Sequence, residues 1–494
     1  MSATLLKGGL VLTFKNNDPT PHAFKADVLI KGDTIVEVAP DLTVPHGSCE
    51  IVDCTGKWVT PGQIDTHRHV WMSIMRGQHS DWLLTEYLVK MTAMQSPHVT
   101  ASEASIGTLA GCLEAIHHGV TCVVDHAHCI NTPDHAPAMI AATIKSGIRS
   151  KFCYGRVAPI PAGFQFTPEH AEKYRSWQVK QITELAEQGV QSGMGAGRLS
   201  DRVDLGLAYD ALSRQADLKN LGEHQEIIKL ARKHGLSPIT THYAGGPVAQ
   251  YSHNVKIWAD AGLLDKDVLF SHANGLTHKD SVEEEWDLLL KTGASIGSTP
   301  EDELGVALGN PVAYEAVKRG VRVGLGCDCV AYQSADLFTQ MRIALQWQRG
   351  HDHAVVASSS GTAPLYHKYS SASAFRLATL GGAEALHLEH KLGTIEPGKL
   401  ADIVVISVDD SINLAGTIDP FQGYVFWTKG EDVTDVMING EWVKRDGALT
   451  KVKWGDVVGD LRKAIKGVED RRASPAEEKM IYEATCKQVG CAIQ

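Results

Sequence analysis

Hydrophobic and polar positions alternate in short runs over residues 1–57. β-Branched stretches at 11–14, 27–30 and 34–38 are separated by turn residues, and residues 31–33 form a tight turn. A period of two residues bounded by turns is typical of strands that expose one face. This part of the chain is therefore predicted to form a small antiparallel sheet.

From residue 58 the pattern changes to short apolar runs that alternate with segments of helical period. Thr100 and Glu103 have the spacing of a capping box, and His117-His118-Gly119 is typical of the end of the same helix. The apolar runs predict eight strands, at 61–69, 121–125, 150–154, 203–209, 238–243, 268–272, 294–297 and 321–328. Eight strand–helix units predict an α/β fold, a closed (β/α)8 TIM-like barrel. An open doubly wound sheet is the alternative, but no glycine-rich phosphate loop supports it.

After residue 391 the short β-runs return, at 402–406 and 436–443, and Asn439-Gly440 is a strong hairpin turn. These runs are predicted to complete the N-terminal sheet as a β-sandwich domain built from both chain ends. The predicted domains are 1–58 with 392–450 for the sandwich, 59–391 for the catalytic barrel, and 451–494 for a C-terminal helical extension.

Composition narrows the class of protein. The chain of 494 residues has 21% charged residues and a formal net charge of −11, which argues against a nucleic-acid-binding surface. No apolar run reaches membrane-spanning length, and no secretory signal is evident. We expect a cytoplasmic protein with reduced cysteines, a small-molecule substrate and no nucleic acid or membrane partner. Assembly into a homo-oligomer is compatible with the sequence.

Polar residues fall at the ends of four predicted strands. His67 and His69 end the first strand, His242 the fifth, His272 the sixth and Asp328 the eighth. Catalytic groups of a barrel lie at the carboxyl ends of its strands, so these side chains are expected to converge. Each residue alone fits a packed or surface role better, but the set favours a site for one divalent metal. Zinc and iron(II) both suit such ligands, with zinc preferred.

With these residues the chain resembles the amidohydrolase superfamily, and more narrowly its branch of cytosine and guanine deaminases, adenosine-homologue deaminases and triazine hydrolases. The resemblance rests on PGQIDTHRH at 61–69, His242, His272, GLGCD at 324–328 and LGTIEPGKLADIVV at 392–405. It covers almost the whole chain. The combined motifs are highly specific for the superfamily and much less specific for the substrate.

The resemblance implies roles for the site residues. His67, His69, His242 and Asp328 would hold one metal ion, which lowers the pKa of a bound water to about 7. Asp328 would also take the proton from that water. His272 would orient or polarise the substituent on the carbon under attack.

One position departs from the pattern of the ring deaminases. Those relatives usually have a glutamate three residues after the fifth-strand histidine, where it protonates the ring nitrogen, and this chain has Gly245. Glu301 or Glu303, just after the seventh strand, are predicted substitutes, although both equally suit solvent-facing loop positions. A third possibility is a reaction for which Asp328 alone suffices, such as opening a cyclic amide or displacing a good leaving group.

Other polar and aromatic residues are candidate substrate contacts. His126 and His128 end the second strand, Trp71 and Arg76 follow the metal histidines, and Tyr209 ends the fourth strand. An aromatic wall with a guanidinium suits a flat, polar heterocycle. The alternatives are a structural hydrogen bond for the histidines and simple cover of the barrel mouth for Trp71.

The sequence thus predicts a mononuclear metal-dependent amidohydrolase that cleaves a non-peptide C–N bond of a small, cyclic nitrogen compound through a metal-bound hydroxide. Hydrolytic removal of another leaving group, such as halide, is the alternative within enzymes. A catalytically silent barrel scaffold is the alternative of another class, and the retention of all four predicted ligands argues against it.

Overall fold

The computed structural model describes residues 3–15, 18–45, 47, 49–159, 168–245, 253–277, 282–472 and 474–489. Two sheets organise these residues, one of eight strands and one of nine. None of the described helices is long and apolar enough to cross a bilayer.

The eight-stranded sheet is parallel throughout, and its strands lie side by side in chain order. Its strands are β6 (Gln63–Arg68), β7 (Val120–Ala127), β8 (Arg149–Gly155), β9 (Val203–Ala208), β10 (Ile239–His242), β11 (Val268–Ser271), β12 (Ser295–Ser298) and β13 (Val323–Leu325). Every residue of β7 is buried, as expected for a parallel strand covered on both faces.

The first and last strands of this sheet meet just beyond β13. Asp328 donates its N–H to the carbonyl of His67 (2.9 Å) and accepts from the N–H of His69 (3.0 Å), which makes a parallel bridge between Arg68 and Asp328. The fold is therefore the predicted (β/α)8 barrel, and the bridge that closes it lies among the predicted metal ligands.

Helices follow the strands and cover the barrel. The α-helices are α1 (Leu84–Tyr87), α2 (Ala101–His117), α3 (His135–Ser146), α4 (Pro168–Gln191), α5 (Leu221–Lys233), α6 (Asn254–Asp260), α7 (Glu283–Thr292), α8 (Pro300–Gly305), α9 (Ala313–Arg319), α10 (Leu337–Ser360), α11 (Ser371–Ala378), α12 (Leu380–Ala385), α13 (Pro420–Phe426), α14 (Trp454–Asp470) and α15 (Pro475–Val489). The shorter helical segments are a π-helix at Leu88–Ala93 and 3-10 helices at Val70–Met75, Ser96–His98, Gln215–Asn220, Asn274–Thr277 and Gly430–Asp432. The predicted capping box begins α2, where Thr100 and Glu103 exchange side-chain-to-backbone hydrogen bonds.

The nine-stranded sheet joins the two ends of the chain, as predicted. Its strands are β1 (Ala3–Thr13), β2 (His22–Lys31), β3 (Thr34–Ala39), β4 (Glu50–Asp53), β5 (Lys57–Pro61), β14 (Ile403–Ser407), β15 (Val433–Ile438), β16 (Glu441–Arg445) and β17 (Ala448–Leu449). Asn439 and Gly440 both have positive φ in the β15–β16 hairpin, as this turn requires. The sheet is antiparallel, as predicted, except that β4 and β5 run parallel to β1. On its other side β5 pairs antiparallel with β14.

The predicted element boundaries differ in two places that matter for the site. β13 is shorter than predicted, because after Leu325 the backbone bends and Asp328 adopts a left-handed conformation with φ of 52°. β5 belongs to the nine-stranded sheet through Pro61, past the predicted domain boundary at residue 58. The domain limits 1–58 with 392–450, 59–391 and 451–494 stay a prediction.

Candidate active site

Five polar side chains converge at the carboxyl ends of four barrel strands. His67 lies on β6 and His69 just after it, His242 ends β10, His272 follows β11, and Asp328 follows β13. The centroid of the His67 imidazole ring lies 5.0 Å from the ring centroids of His69 and His242 and 5.1 Å from that of His272. The structure thus brings together every residue predicted to bind metal or to act beside it.

The spacing of the ligand atoms fits a tetrahedral metal ion. Asp328 Oδ1 lies 3.1 Å from Nε2 of His67 and 3.2 Å from Nε2 of His69. The Nε2 atoms of His242 and His69 are 3.4 Å apart. Ligands about 2.0–2.1 Å from a tetrahedral zinc are about 3.3 Å from one another. The donor set therefore suits one divalent ion.

Neighbouring groups orient three of the imidazoles. Nδ1 of His69 donates to the carbonyl of His126 (2.9 Å), and Nδ1 of His242 donates to Asp210 Oδ2 (3.0 Å). Both partners only accept hydrogen bonds, so the protons lie on Nδ1 and the Nε2 lone pairs face the cluster. The Ser271 hydroxyl lies 2.8 Å from Nδ1 of His67 and holds that ring in place, whichever of the two groups donates.

Nε2 of His67 is the strongest sign that the cluster holds a ligand. This atom is buried and makes no hydrogen bond within the described part of the chain. A buried polar nitrogen without a partner costs free energy, which metal coordination would recover.

The two carboxylate oxygens of Asp328 face different histidines. Its Oδ1 faces His67 and His69, whereas its Oδ2 lies 3.6 Å from Nε2 of His272. His272 is held from behind, because its Nδ1 lies 2.9 Å from the Thr299 hydroxyl. His272 and Asp328 also have φ of 70° and 52°, values that few non-glycine residues adopt.

The electrostatics of the cluster favour neutral His67 and His272 beside a carboxylate, whereas at His242 burial is outweighed by Asp210, which raises the pKa of the imidazole above its usual value. Burial lowers the pKa of His67 well below its usual value and that of His272 to about 4. Burial opposes the charge of Asp328, but the imidazoles of His272 and His67 outweigh it and hold its pKa well below the usual range. Neutral imidazole and ionised carboxylate are the forms that bind a divalent metal.

A cavity of about 420 Å³ adjoins the cluster. His69, His242, His272 and Asp328 contribute to its lining. Apolar side chains form much of the wall, namely Leu84, Leu88, Val157, Val306 and Leu308. Further polar side chains in the lining are His79, Thr92, His128, Ser213 and Arg214. A mainly apolar cavity with a few polar groups suits a small organic molecule.

Two of the predicted substrate contacts lie beside the cluster without lining the cavity, and one lines it. His128 is part of the lining, and its ring lies 4.2 Å from that of His69. Trp71 is buried behind it, with the indole N–H 3.3 Å from Nδ1 of His128. His126 lies beneath the cluster with its Nε2 3.1 Å from Asp210 Oδ2. His126 and Trp71 therefore support other site residues.

Four further predicted contacts fall outside the described cavity lining. Arg76 is half-exposed and pairs with Glu114 of α2. The Tyr209 hydroxyl lies 2.7 Å from Nδ1 of His224. Glu301 pairs with Gln340 of α10. Glu303 is buried behind His272 and accepts from Ser298 and from the N–H of Thr299. We leave these four residues out of the substrate contacts, because neighbouring side chains occupy their polar groups.

Three cavity residues escaped the sequence analysis. Asp210 lies two residues after β9, so a search for polar residues near the carboxyl ends of the strands would also have found it. Asp302 lies between the two glutamates that the sequence singled out, and it lines the cavity while they do not. His79 is buried with no hydrogen bond to its Nδ1 among the described residues, and nothing in its sequence context marks it.

Replacing Asp210 with asparagine is expected to weaken metal binding by about 10- to 100-fold, because an amide accepts less strongly from the Nδ1–H of His242. Competition with a metallochromic chelator measures the dissociation constant. Asp204→Asn is the matched control, since Asp204 lies on β9 but pairs with Lys151 away from the cluster. Equal affinities of the two variants would exclude a role of Asp210 in orienting His242.

The comparisons with known proteins agree with this geometry. Residues 58–443 match the model of the amidohydrolase family. A 5-methylthioadenosine/S-adenosylhomocysteine deaminase of Pyrococcus abyssi is 27% identical over 91% of this chain and 96% of its own length. The Bacillus cereus protein of the same name is 26% identical over 95% and 100%.

Solved structures share the fold. An adenosine deaminase from Xanthomonas campestris with bound zinc superposes with a TM-score of 0.74 at 20% identity, over 95% of this chain and 99% of that one. An atrazine chlorohydrolase from Arthrobacter aurescens complexed with zinc gives 0.74 at 20%, over 94% and 100%.

The chain belongs to the amidohydrolase family. It is a metal-dependent hydrolase that acts on a C–N bond of a small nitrogen compound, as the sequence predicted.

Proposed function

We propose that the chain is a mononuclear, zinc-dependent aminohydrolase that releases ammonia from an aminated heterocycle of nucleoside size. The observation that carries the proposal is the set of three imidazole Nε2 atoms and Asp328 Oδ1, spaced as ligands of one tetrahedral ion beside the cavity. Relatives named as deaminases of adenine-containing compounds support the choice of leaving group.

In this proposal His67, His69, His242 and Asp328 hold the metal. His272 also lies close enough to belong to the cluster, since its ligand atom lies within 4.8 Å of those of His67, His242 and Asp328. We place it outside the ligand set because it faces Oδ2 of Asp328, whereas His67 and His69 face Oδ1. Imidazole and carboxylate ligands suit zinc, whereas softer ions prefer thiolate or thioether ligands. Iron(II) is the alternative.

The bound ion would supply Lewis acidity and a water activated at neutral pH. Asp328 would accept a proton at Oδ2, the oxygen that faces His272. In this proposal the Thr299 hydroxyl donates to Nδ1 of His272, so that the ring hydrogen lies on Nε2. That hydrogen is placed to bind the oxygen or nitrogen substituent of the carbon under attack. The apolar wall excludes bulk water and orients a flat ring.

The test is turnover of the zinc-loaded protein on three substrate types: 6-aminopurine nucleosides, their 6-chloro analogues and cyclic amides. Ammonia, chloride and ring opening are measured separately. Ammonia release that a chelator abolishes and zinc restores is the expected result. Chloride release alone would replace the proposal with a halide hydrolase, an outcome that Gly245 in place of an acid favours. If the wild type bound no metal, the proposal would fail and the catalytically silent scaffold would be the remaining alternative.

A further inference from the structure

The position where relatives have a catalytic acid cannot hold one here. A Cβ on Gly245 would lie 2.8 Å from the carbonyl oxygen of Leu308 and 2.9 Å from the carbonyl carbon of Asn274. Both neighbours are backbone atoms, which yield little. A proton donor for the substrate must therefore come from another element.

Helix α8 follows β12 and carries three consecutive carboxyl side chains. Glu301 points to α10, where its Oε2 accepts from Gln340 Nε2 (3.0 Å). Glu303 is enclosed behind His272, where Oε1 accepts from the N–H of Thr299 (2.7 Å) and Oε2 from the Ser298 hydroxyl (3.1 Å). The partners of both glutamates keep them out of the cavity.

Asp302 is the member of this trio that lines the cavity, together with Asp328 and His272. It is 1% exposed, and its Oδ2 accepts the N–H of Cys329 (3.1 Å), the residue after Asp328. This hydrogen bond holds the Asp302 carboxyl against the loop that carries Asp328. Among the described residues, Asp210 and Asp328 are the other acids that line the cavity. The Asp302 carboxyl is thus held in place, shielded from bulk water and part of the same cavity wall as Asp328 and His272.

We propose that Asp302 is the acid of this enzyme, which donates a proton to the ring nitrogen or the leaving amino group of the substrate. The inference rests on the proposed aminohydrolase function. The oxygen of water forms the new C–O bond, and the electron pair of the broken C–N bond leaves with nitrogen. Asp302 protonates one of the two nitrogens, and Asp328 takes the first water proton and passes it to the other, so that the amino group leaves as ammonia. The second water proton, released when the hydroxyl becomes the ring carbonyl, returns Asp302 to its protonated form. The products are the ring carbonyl compound and ammonia.

Asp302→Asn in the zinc-loaded protein is expected to lower kcat for ammonia release by at least about 100-fold. Zinc content should stay at the wild-type level and KM should change little, because Asp302 is not a ligand. Asp302→Glu should recover part of the rate. Glu301→Gln is the matched control on the same helix and should keep the wild-type rate.

An infrared difference spectrum between the zinc-loaded wild type and Asp302→Asn at neutral pH tests the same inference without turnover. A protonated-carboxyl band that the variant lacks is the expected result, and its absence overturns the inference. An unchanged kcat in Asp302→Asn, or the main loss of kcat in Glu303→Gln instead, overturns it too. If the wild type released no ammonia at all, the proposed function would fail while the infrared result would still decide on Asp302.

Discussion

Asp328→Asn is expected to lower kcat on the order of 1,000-fold or more, since one change removes a charged metal ligand and the acceptor of the water proton. The amide keeps the size of the side chain but accepts no proton. Its oxygen would still lie near Nε2 of His67 and His69, so some metal should remain bound. Zinc content by elemental analysis, measured beside kcat, separates the two effects.

The variant His67→Ala tests metal binding separately from proton transfer. This variant removes a ligand with no proton-transfer role, so zinc content and activity should fall together. His353→Ala is its control, because His353 is exposed near the end of α10 and contacts His367 outside the barrel. Full turnover in either Asp328→Asn or His67→Ala would defeat the metal-dependent mechanism.

Arg68→Met is expected to lower the free energy of unfolding by about 3–5 kcal/mol, the typical result of leaving one partner of a buried ion pair alone. Arg68 and Asp65 are both fully buried, and the Arg68 Nε–H donates to Asp65 Oδ2 (2.7 Å). Asp65 Oδ1 in turn accepts the N–H of Cys327 (3.2 Å). The pair thus joins the first barrel strand to the loop that presents Asp328. Urea denaturation followed by circular dichroism measures the change.

Arg76→Met is the matched control, because the half-exposed pair of Arg76 with Glu114 should contribute about 0–1 kcal/mol. The double variant Arg68→Met/Asp65→Leu should recover much of the loss, since no charge then stays buried without a partner. Equal stabilities of Arg68→Met and Arg76→Met would show that the buried pair does not hold the barrel closed.

The sequence by itself determined the eight barrel strands and the residues that end them. This succeeded because strand period, apolar runs and glycine-terminated helices are local signals, and because parallel strands bring their carboxyl ends to one rim. Where a polar residue lies at the end of a strand or just after it, as His242 and His272 do, its position in the site follows from the strand alone.

The substrate contacts were harder to predict, and the reason is geometric. Arg76, Tyr209, Glu301 and Glu303 stand close in sequence to site residues, yet each lies outside the cavity lining. Their hydrogen-bond partners are Glu114, His224, Gln340 and Ser298, respectively. The first three lie on other helices, and Ser298 ends β12. Sequence proximity does not tell which way a loop side chain points.

The sequence alone therefore predicted the fold and the proposed metal-binding set, since these depend on strand order and residue type, and the resemblance to the ring deaminases drew attention to Gly245. Only the tertiary structure decided between three adjacent carboxyl groups. The sequence does not distinguish these three adjacent acids, but on α8 their side chains point in different directions. Glu301 contacts α10, Asp302 lines the cavity and Glu303 lies behind His272. Packing, which is non-local, determines which of them meets the substrate.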